Sequence, residues 1–175
     1  ERSDGFNARP DGNPDRDGYR TEAVSARLGW RVAEGHKLEL SVLDSQQKSG
    51  YDGFAAGQDD QSLHELQTIG LNWSARWSDV WSTRVGHTRG SDRYETTPSP
   101  YLTRTLVSTW LLRNELKLGK ALLSVDLERR EDDLRNRGTS PEVTDRHQDA
   151  VALGYGLRSG MHTVQLNLRH DEDSE

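Results

Sequence analysis

The chain has 175 residues, of which 31% are hydrophobic, and its 23 basic and 29 acidic side chains give a net charge of −6. This balance leaves no basic patch, which argues against nucleic acid as a partner, and the absence of cysteine excludes disulfides, thiolate catalysis and zinc–thiolate sites. The hydrophobic fraction is low for a packed globular core but suits a sheet that needs only one apolar face per strand.

The first two strands are predicted at about 22–33 and 36–44, on either side of a tight turn at Glu34-Gly35. Apolar residues occupy every second position of both segments, which is the period of a strand with one apolar face. These positions are Val24, Ala26, Leu28, Trp30 and Val32, followed by Leu38, Leu40 and Val42. Polar residues fill the positions between them, so the pair is predicted to be a β-hairpin with unlike faces.

Three more hairpins follow with the same pattern. Their strands are predicted at about 66–76 and 80–89, 104–117 and 120–130, and 148–158 and 161–170. Only the strand at 104–117 separates less cleanly into an apolar and a polar face, because the residues on both faces include apolar ones. Longer polar segments at about 44–66, 88–104 and 130–147 are predicted to be loops. The fold class is therefore predicted to be all-β, an antiparallel up-and-down meander of about eight strands in one segment that spans 1–175.

Tight turns and long loops alternate along the chain, so the turns lie on one rim of the predicted sheet and the loops on the other. That layout is typical of a transmembrane β-barrel, whereas a soluble sandwich usually has long connections at both ends. No run approaches the ~20 apolar residues of a membrane helix. A soluble antiparallel sheet with one solvated face is the alternative that the strand pattern leaves open.

Tryptophans strengthen the membrane interpretation. Trp73, Trp77 and Trp81 surround one tight turn, and Trp30 lies near another. An aromatic girdle meets the bilayer interface at this level of a barrel, although Trp77 could instead pack its own turn. The lipid-facing surface is predicted to include Leu28, Trp30, Ile69, Leu71, Trp73, Leu153 and Leu166.

Acidic residues gather in two segments that the predicted sheet brings to the same rim. Asp15 and Asp17 are two residues apart, so in an extended segment both carboxylates project to one side. Asp52 follows the second strand, and Asp59 and Asp60 come soon after. Hard cations such as Ca²⁺ take six to eight oxygen ligands, so the acids are candidates for an oxygen-only cation site. The alternative is that they are solvated or support turns, in which Asp and Gly are favoured.

The sequence does not indicate an enzyme. Its histidines are scattered without a metal-ligand spacing, and the helix–loop–helix calcium pattern is not met. Neither a Gly-x-Ser-x-Gly elbow nor a phosphate-binding glycine loop is present. We therefore expect no catalytic residues.

Three strings in the chain carry a family resemblance. They are Ser3-Asp4-Gly5-Phe6-Asn7-Ala8, Asp15-Arg16-Asp17-Gly18-Tyr19 and Ser49-Gly50-Tyr51-Asp52-Gly53. With the strand–turn–strand between the last two, they resemble TonB-dependent outer-membrane receptors, and among these the cobalamin (vitamin B12) transporters most. The resemblance extends over essentially the whole chain. It implies the bacterial outer membrane as location, outer-membrane lipid as surroundings and cobalamin as the imported ligand.

A receptor of that family has an amino-terminal plug inside a 22-stranded barrel, and TonB supplies energy by gripping a short box on the plug. The chain contains neither plug nor box, so the resemblance implies an interior barrel segment. The alternatives are a siderophore or haem receptor of the same class, a small structural eight-stranded barrel, and a soluble β-sandwich binding module.

The resemblance also implies a set of site residues. Calcium ions order the extracellular loops of the family's cobalamin receptors before the ligand docks. By match, the calcium ligands would be Asn13, Asp15, Asp17, Tyr51, Asp52 and Asp60. Gly53 would then lie at the position that contacts cobalamin.

Overall fold

A computed structural model describes residues 1–7, 15–53, 57–98 and 100–174, which form one antiparallel sheet of nine strands. Strand order in the sheet is sequence order, so each strand pairs only with its neighbours along the chain. The strands are β1 (Arg2–Phe6), β2 (Asp17–Ala33), β3 (His36–Asp52), β4 (Asp59–Arg76), β5 (Trp81–Thr97), β6 (Leu102–Leu118), β7 (Ala121–Arg137), β8 (Val143–Ser159) and β9 (His162–Asp173). The predicted all-β meander is confirmed, with one short additional strand, β1. No helix among the described residues is long and apolar enough to cross a membrane.

The tight turns lie where the alternating pattern placed them. In the first, Ala33 pairs with His36, and Gly35 has a φ of 74°, a region that glycine enters without steric cost. A Cβ on Gly35 would lie 2.6 Å from the carbonyl oxygen of Arg76, at the end of β4. Glycine is therefore required here both by the turn and by the close approach of the next hairpin.

The strands extend further from the turns than the sequence pattern predicted. The strand predicted at about 36–44 runs from His36 to Asp52, and the one predicted at about 120–130 runs from Ala121 to Arg137. Both faces of each strand are polar in these added lengths, so backbone pairing continues without the alternation that marks a strand in sequence. The predicted loops at about 44–66, 88–104 and 130–147 are therefore wrong over most of their length.

The register places the predicted apolar residues on a single face of the sheet, which we call the apolar face. Leu28 lies opposite Leu40, and Leu40 lies opposite Leu71, so one apolar row crosses three strands. Seven residues predicted to share the outward surface all lie on this face: Leu28, Trp30, Ile69, Leu71, Trp73, Leu153 and Leu166. In β6, where the sequence divided less cleanly, Trp110 and Leu112 lie on it as well.

The apolar face is uncovered. Trp30 is 65% exposed and Leu168 is 72% exposed, and the described residues form no second layer that could cover them. Ala75 is the one buried hydrophobic residue in the described part of the chain. A soluble sandwich packs the inner faces of two sheets against each other, so that alternative disagrees with the structure.

The apolar face has two levels. Next to the tight turns it carries the apolar residues, and we call this level the apolar band. The span from Val24 to Val32 on β2 matches the ~9–11 residues of a tilted transmembrane strand. Farther from the turns the same face is charged, as where Leu127 is followed on β7 by Arg129 and Glu131. We call the level beyond the apolar band, on both faces, the upper wall.

The hairpins are staggered along the sheet. One row of directly opposite residues joins His36 to Ala75 and continues through β5, β6 and β7 to Leu153. Ala33 ends β2 at this row, whereas β8 continues beyond Leu153 to Ser159. Such stagger accompanies the strand tilt of a barrel wall. Because β1 and β9 do not pair, the described residues form an open wall and not a closed eight-stranded barrel.

Candidate functional site

The acidic residues singled out from the sequence meet at the rim of the upper wall, away from the tight turns. Tyr51 lies directly opposite Asp60 in the pairing of β3 with β4. Asp17, the first residue of β2, lies against the end of β3, where a Cβ on Gly50 would be 3.6 Å from its Oδ1. Strand pairing thus joins the two acidic segments, as the sequence predicted.

Asp52 is the carboxylate of this rim that most lacks a partner. Its Oδ1 and Oδ2 are both buried without a hydrogen bond. Asp59 lies directly opposite it across the β3–β4 pair, and like charges in that position destabilise a sheet. Buried polar atoms without partners also carry a free-energy cost. A cation bound beside Asp52 would relieve both effects.

Asp17 is affected by the same group of charges. Burial, and then the negative charges of Asp52, Asp15 and Asp59, raise the pKa of Asp17 above its ordinary value. Neighbouring negative charges disfavour the ionised form of a carboxyl group, and a bound cation has the opposite effect. We refer to Asp15, Asp17, Asp52 and Asp59 as the acidic cluster.

Tyr51 and Asp60 form a second pair beside the acidic cluster. Asp60 is 7% exposed and Thr96 is 6% exposed, so both are buried polar residues. Burial, and then the charge of Asp60, raise the pKa of the Tyr51 phenol, and a hydrogen bond joins Tyr51 to Thr96. Tyr51 therefore stays protonated at neutral pH and offers a neutral hydroxyl oxygen to a ligand at this rim.

Two predicted residues remain. Asn13 lies outside the described residues. Gly53 is buried, its N–H donates to the carbonyl oxygen of Gln58 at 2.9 Å, and a Cβ on it would lie 3.2 Å from Oδ2 of Asp60. The hydrogen bond to Gln58 therefore holds the main chain of Gly53 close to Asp60. The cobalamin contact at this position stays a prediction.

The donor chemistry of the rim suits a hard cation. Carboxylates and a phenol hydroxyl supply oxygen only, which is what Ca²⁺ binds, and the buried, unpartnered oxygens of Asp52 are available as ligands. Across the described ranges, no three His, Asp or Glu side chains converge closely enough to hold a metal ion as they stand. Ion binding would therefore have to draw the side chains of the acidic cluster together.

The face opposite the apolar face is polar, and beside the rim it carries aromatic residues that the sequence pattern did not reveal. Tyr94 makes edge contacts with His64 and Tyr101, with ring centroids 6.3 Å and 6.1 Å apart. His64 Nε2 lies 2.8 Å from Oδ1 of Asp92. Tyr94 and Asp92 lie in a segment that was predicted to be a loop, so their alternation along a strand was not recognised. Together these side chains offer ring faces and hydrogen-bonding groups for a ligand.

Charged residues on the polar face are mostly paired. Arg113 donates two hydrogen bonds of 2.7 Å to Asp126, a bidentate arrangement that holds both side chains in place. Farther up the wall, Arg130 and Arg146 both donate to Asp132, at 2.9 Å and 3.0 Å. A polar wall of this kind is typical of the interior of a membrane barrel.

Solved structures with this fold include a siderophore receptor and a copper transporter. The siderophore receptor PirA from Acinetobacter baumannii is similar with a TM-score of 0.63 and 14% identity, over 91% of this chain and 30% of that chain. The copper transporter OprC is similar with a TM-score of 0.58 and 15% identity, over 91% of this chain and 29% of that chain. No protein-family model and no curated protein matches the sequence.

The chain spans less than a third of the length of either solved structure. At this level of identity the likeness concerns the fold. The described sheet therefore has the fold of a segment of these two solved structures.

Proposed function

We propose that the chain is part of the barrel wall of an energy-coupled, TonB-dependent receptor in the bacterial outer membrane, and that the receptor imports cobalamin. The single observation that carries the site is the buried, unpartnered carboxylate of Asp52, held within the acidic cluster at the rim of a receptor-type barrel wall. Both solved neighbours are named as a receptor or a transporter, which supports transport over catalysis.

The membrane placement is supported by the two faces of the sheet. The apolar band has the width of a membrane-spanning strand and is exposed, while the opposite face is polar and ion-paired. The apolar face would contact outer-membrane lipid, and the polar face would line the lumen around the plug of the full-length receptor. TonB would act on that plug and not on this wall.

In this proposal calcium binds at the acidic cluster with Asp15, Asp17 and Asp52 as ligands, and with Tyr51 and Asp60 nearby. Asn13, outside the described residues, stays a predicted ligand. Without the ion, repulsion between the carboxylates keeps the loops of this rim apart. With it, the loops are ordered before cobalamin docks, so the entropy lost on binding the ligand is smaller. Calcium and cobalamin would therefore bind cooperatively.

A siderophore receptor is the second candidate, because the siderophore receptor PirA is similar over 91% of this chain. Tyr94, Tyr101 and His64 on the polar face would suit the ring systems of either ligand. The two candidates differ in their cargo and not in the architecture of the wall.

The test is ligand binding by the full-length receptor that contains this segment, purified in detergent. Cobalamin binding is measured in calcium and in chelator for the wild type and for the double variant Asp15→Asn, Asp17→Asn. We expect the variant to bind cobalamin about tenfold more weakly in calcium and almost equally in chelator. The variant Asp79→Asn, in the tight turn at the opposite rim, is the matched control.

Equal losses in calcium and in chelator would reject the metal role of the two aspartates. Binding of a ferric siderophore in place of cobalamin would select the second candidate. Absence of binding to both would reject the proposed class of cargo.

A further inference from the structure

A row of cations crosses the polar face close to the tight turns. Arg31 lies directly opposite Lys37. Ser74 on β4 separates Lys37 from Arg84, which lies directly opposite Arg113. We call these four cations, Arg31, Lys37, Arg84 and Arg113, the cationic row. Like charges directly opposite each other destabilise a sheet, so an anion bound along the row would relieve their repulsion.

The surroundings of the row keep its charge positive. On the same face, the nearest further cations are Arg27, Arg76 and Lys117. The nearest carboxylates are Glu39 and Glu115 on the same strands, Asp126 on β7, and Glu34 and Asp79 in the turns. Cations therefore outnumber carboxylates at this end of the polar face, although the whole chain has a net charge of −6.

Two members of the cationic row are paired and two are not. Nζ of Lys37 donates to Oε1 of Glu39 at 2.8 Å, and Arg113 makes the bidentate pair with Asp126. Arg31 and Arg84 form no side-chain hydrogen bond or ion pair with any described residue. Their guanidinium groups are therefore available to a ligand.

A cavity of about 160 Å³ lies at the row. Lys37, Arg84 and Arg113 line it, together with the hydroxyl-bearing Ser74. Charged N–H groups and hydroxyls are the donors that bind carboxylates and phosphates. Glu115 is the one carboxylate among the described residues of the lining. The cavity thus has an excess of positive charge and suits a single oxyanion group.

The cationic row and the acidic cluster lie at opposite ends of the wall. Strand β3 runs from Lys37 at the row to Tyr51 at the rim, a length of about 45 Å at ~3.3 Å per residue. The wall is therefore acidic at the loop rim and basic at the turn end. An anionic group that enters past the rim is attracted toward the turns.

We propose that the cationic row binds the phosphate or carboxylate group of the imported molecule while that molecule moves along the wall toward the turn rim. The cavity at Arg84 holds the oxyanion, and Arg31 and Lys37 extend the attraction across β2 and β3. A surface of one charge sign raises the local concentration of an oppositely charged solute. The row therefore speeds transport and takes no part in binding at the rim.

The inference rests on the proposed function, because the row meets the cargo once TonB has moved the plug. Cobalamin has the required chemistry, since it carries a phosphate group in its nucleotide. Cobinamide lacks that nucleotide and its phosphate but keeps the corrin ring. The two molecules therefore form a matched pair of probes.

The experiment uses cells that express the full-length receptor. Binding of labelled cobalamin and cobinamide is measured in energy-depleted cells, and uptake of each is measured in energised cells. We expect Arg84→Gln to lower the rate of cobalamin uptake about fivefold. Cobinamide uptake and the binding of both probes should stay unchanged, because the rim is far from the row.

Further variants separate charge from structure. Arg84→Lys keeps the charge and should retain most of the cobalamin uptake. Arg31→Gln should cause a smaller loss than Arg84→Gln, because Arg31 does not line the cavity. Arg89→Gln, on the same strand as Arg84 but on the apolar face, is the matched control and should change nothing. Unchanged binding at the rim shows that each variant is folded.

Equal cobalamin uptake by the wild type and by Arg84→Gln would overturn the proposal. Equal losses of cobalamin and cobinamide uptake would also overturn it, in favour of a contact between the row and a carboxylate of the receptor's own plug. Binding of neither probe by the wild type would instead overturn the proposed function, so the failures are distinguishable.

Discussion

Asp52 and Asp59 lie directly opposite each other where β3 ends and β4 begins, and both carboxylate oxygens of Asp52 are buried without a hydrogen bond. We expect a sheet rim with this arrangement to be more stable with a bound cation than without one, since the cation would offset both the repulsion between the carboxylates and the cost of their burial. The stability of the receptor should therefore depend on calcium through Asp52.

Asp52→Asn removes one negative charge and places an amide donor where a buried oxygen has no partner. We expect calcium to raise the thermal unfolding temperature of the wild type and to have much less effect on the variant. In chelator the variant should be at least as stable as the wild type, because it has less repulsion to overcome. Calorimetry with and without calcium measures both, and a variant that is destabilised equally in the two conditions would contradict the cation role.

The raised pKa of Asp17 predicts how stability and calcium binding at the acidic cluster depend on pH. The pKa of Asp17 is higher in the folded protein than its ordinary value of 3.8. At pH values between these two pKa values, Asp17 is therefore mostly protonated in the folded protein and mostly ionised in the unfolded chain. Without calcium, the free energy of unfolding should therefore fall as pH rises through this range. Calcium requires the ionised carboxylate, so its affinity should fall as pH drops from 7 into the same range.

Calcium titrations at several pH values test this expectation. Asp17→Asn should flatten the pH dependence as well as weaken binding, because the titrating group is gone. A pH dependence that persists unchanged in the variant would assign the titration to another group.

Trp77 is expected to stabilise the tight turn between β4 and β5. Its Nε1 donates to Oγ1 of Thr83 at 2.9 Å, and its ring contacts His36, Trp73 and Trp81 at centroid distances of 5.1, 5.8 and 5.6 Å. Trp77→Ala should lower the free energy of unfolding by about 1–3 kcal/mol, since it removes several half-exposed aromatic contacts. Trp77→Phe keeps an aromatic ring but lacks the N–H donor, so its free energy of unfolding, measured in denaturant, should lie between those of the wild type and of Trp77→Ala. An unchanged midpoint for Trp77→Ala would show that the cluster contributes only at a membrane interface.

Gly35 and Gly119 form a matched pair for testing how closely the hairpins pack. Both have positive φ, at 74° and 63°, but a Cβ on Gly119 would meet nothing within 4 Å, whereas one on Gly35 would press against Arg76. Gly119→Ala should cost about 1–2 kcal/mol of backbone strain. Gly35→Ala should cost more, because the first hairpin must also move away from the second. Equal costs in denaturant unfolding would contradict the close approach.

The turn ends of the strands could be predicted from the sequence and the loop ends could not. Near the turns, one face is apolar and the other polar, and the turns contain glycine, so the pattern is unambiguous. Toward the loops both faces are polar, as at Arg129, Arg130 and Glu131, and pairing continues without a sequence signal. β1 gave no signal either, because Arg2–Phe6 contains no apolar alternation.

The proximity of Asp17 to the end of β3 could be predicted, because hairpin pairing brings the start of one strand to the end of the next. The burial of the Asp52 carboxylate oxygens could not be predicted, because the alternation along a strand does not reveal how single atoms at its end are covered. The stacking of His87 on Trp110 depends on the register of β5 with β6, and the sequence pattern did not predict that register because it assigned residues 88–104 to a loop. The rim could therefore be located from the sequence, whereas the aromatic pair on the apolar face could not.

We propose that β7 and its neighbours stand in a membrane, with alternate residues facing the lipid and the lumen of the barrel. Because this chain contains no cysteine, the most direct measurement places single spin labels through Ser124→Cys, Val125→Cys, Asp126→Cys and Leu127→Cys in the full-length receptor in lipid bilayers. Accessibility to oxygen, which partitions into hydrocarbon, is compared with accessibility to a water-soluble nickel complex. We predict high oxygen accessibility at Val125 and Leu127 and high nickel accessibility at Ser124 and Asp126. Equal accessibility of all four positions to the nickel complex would contradict the account.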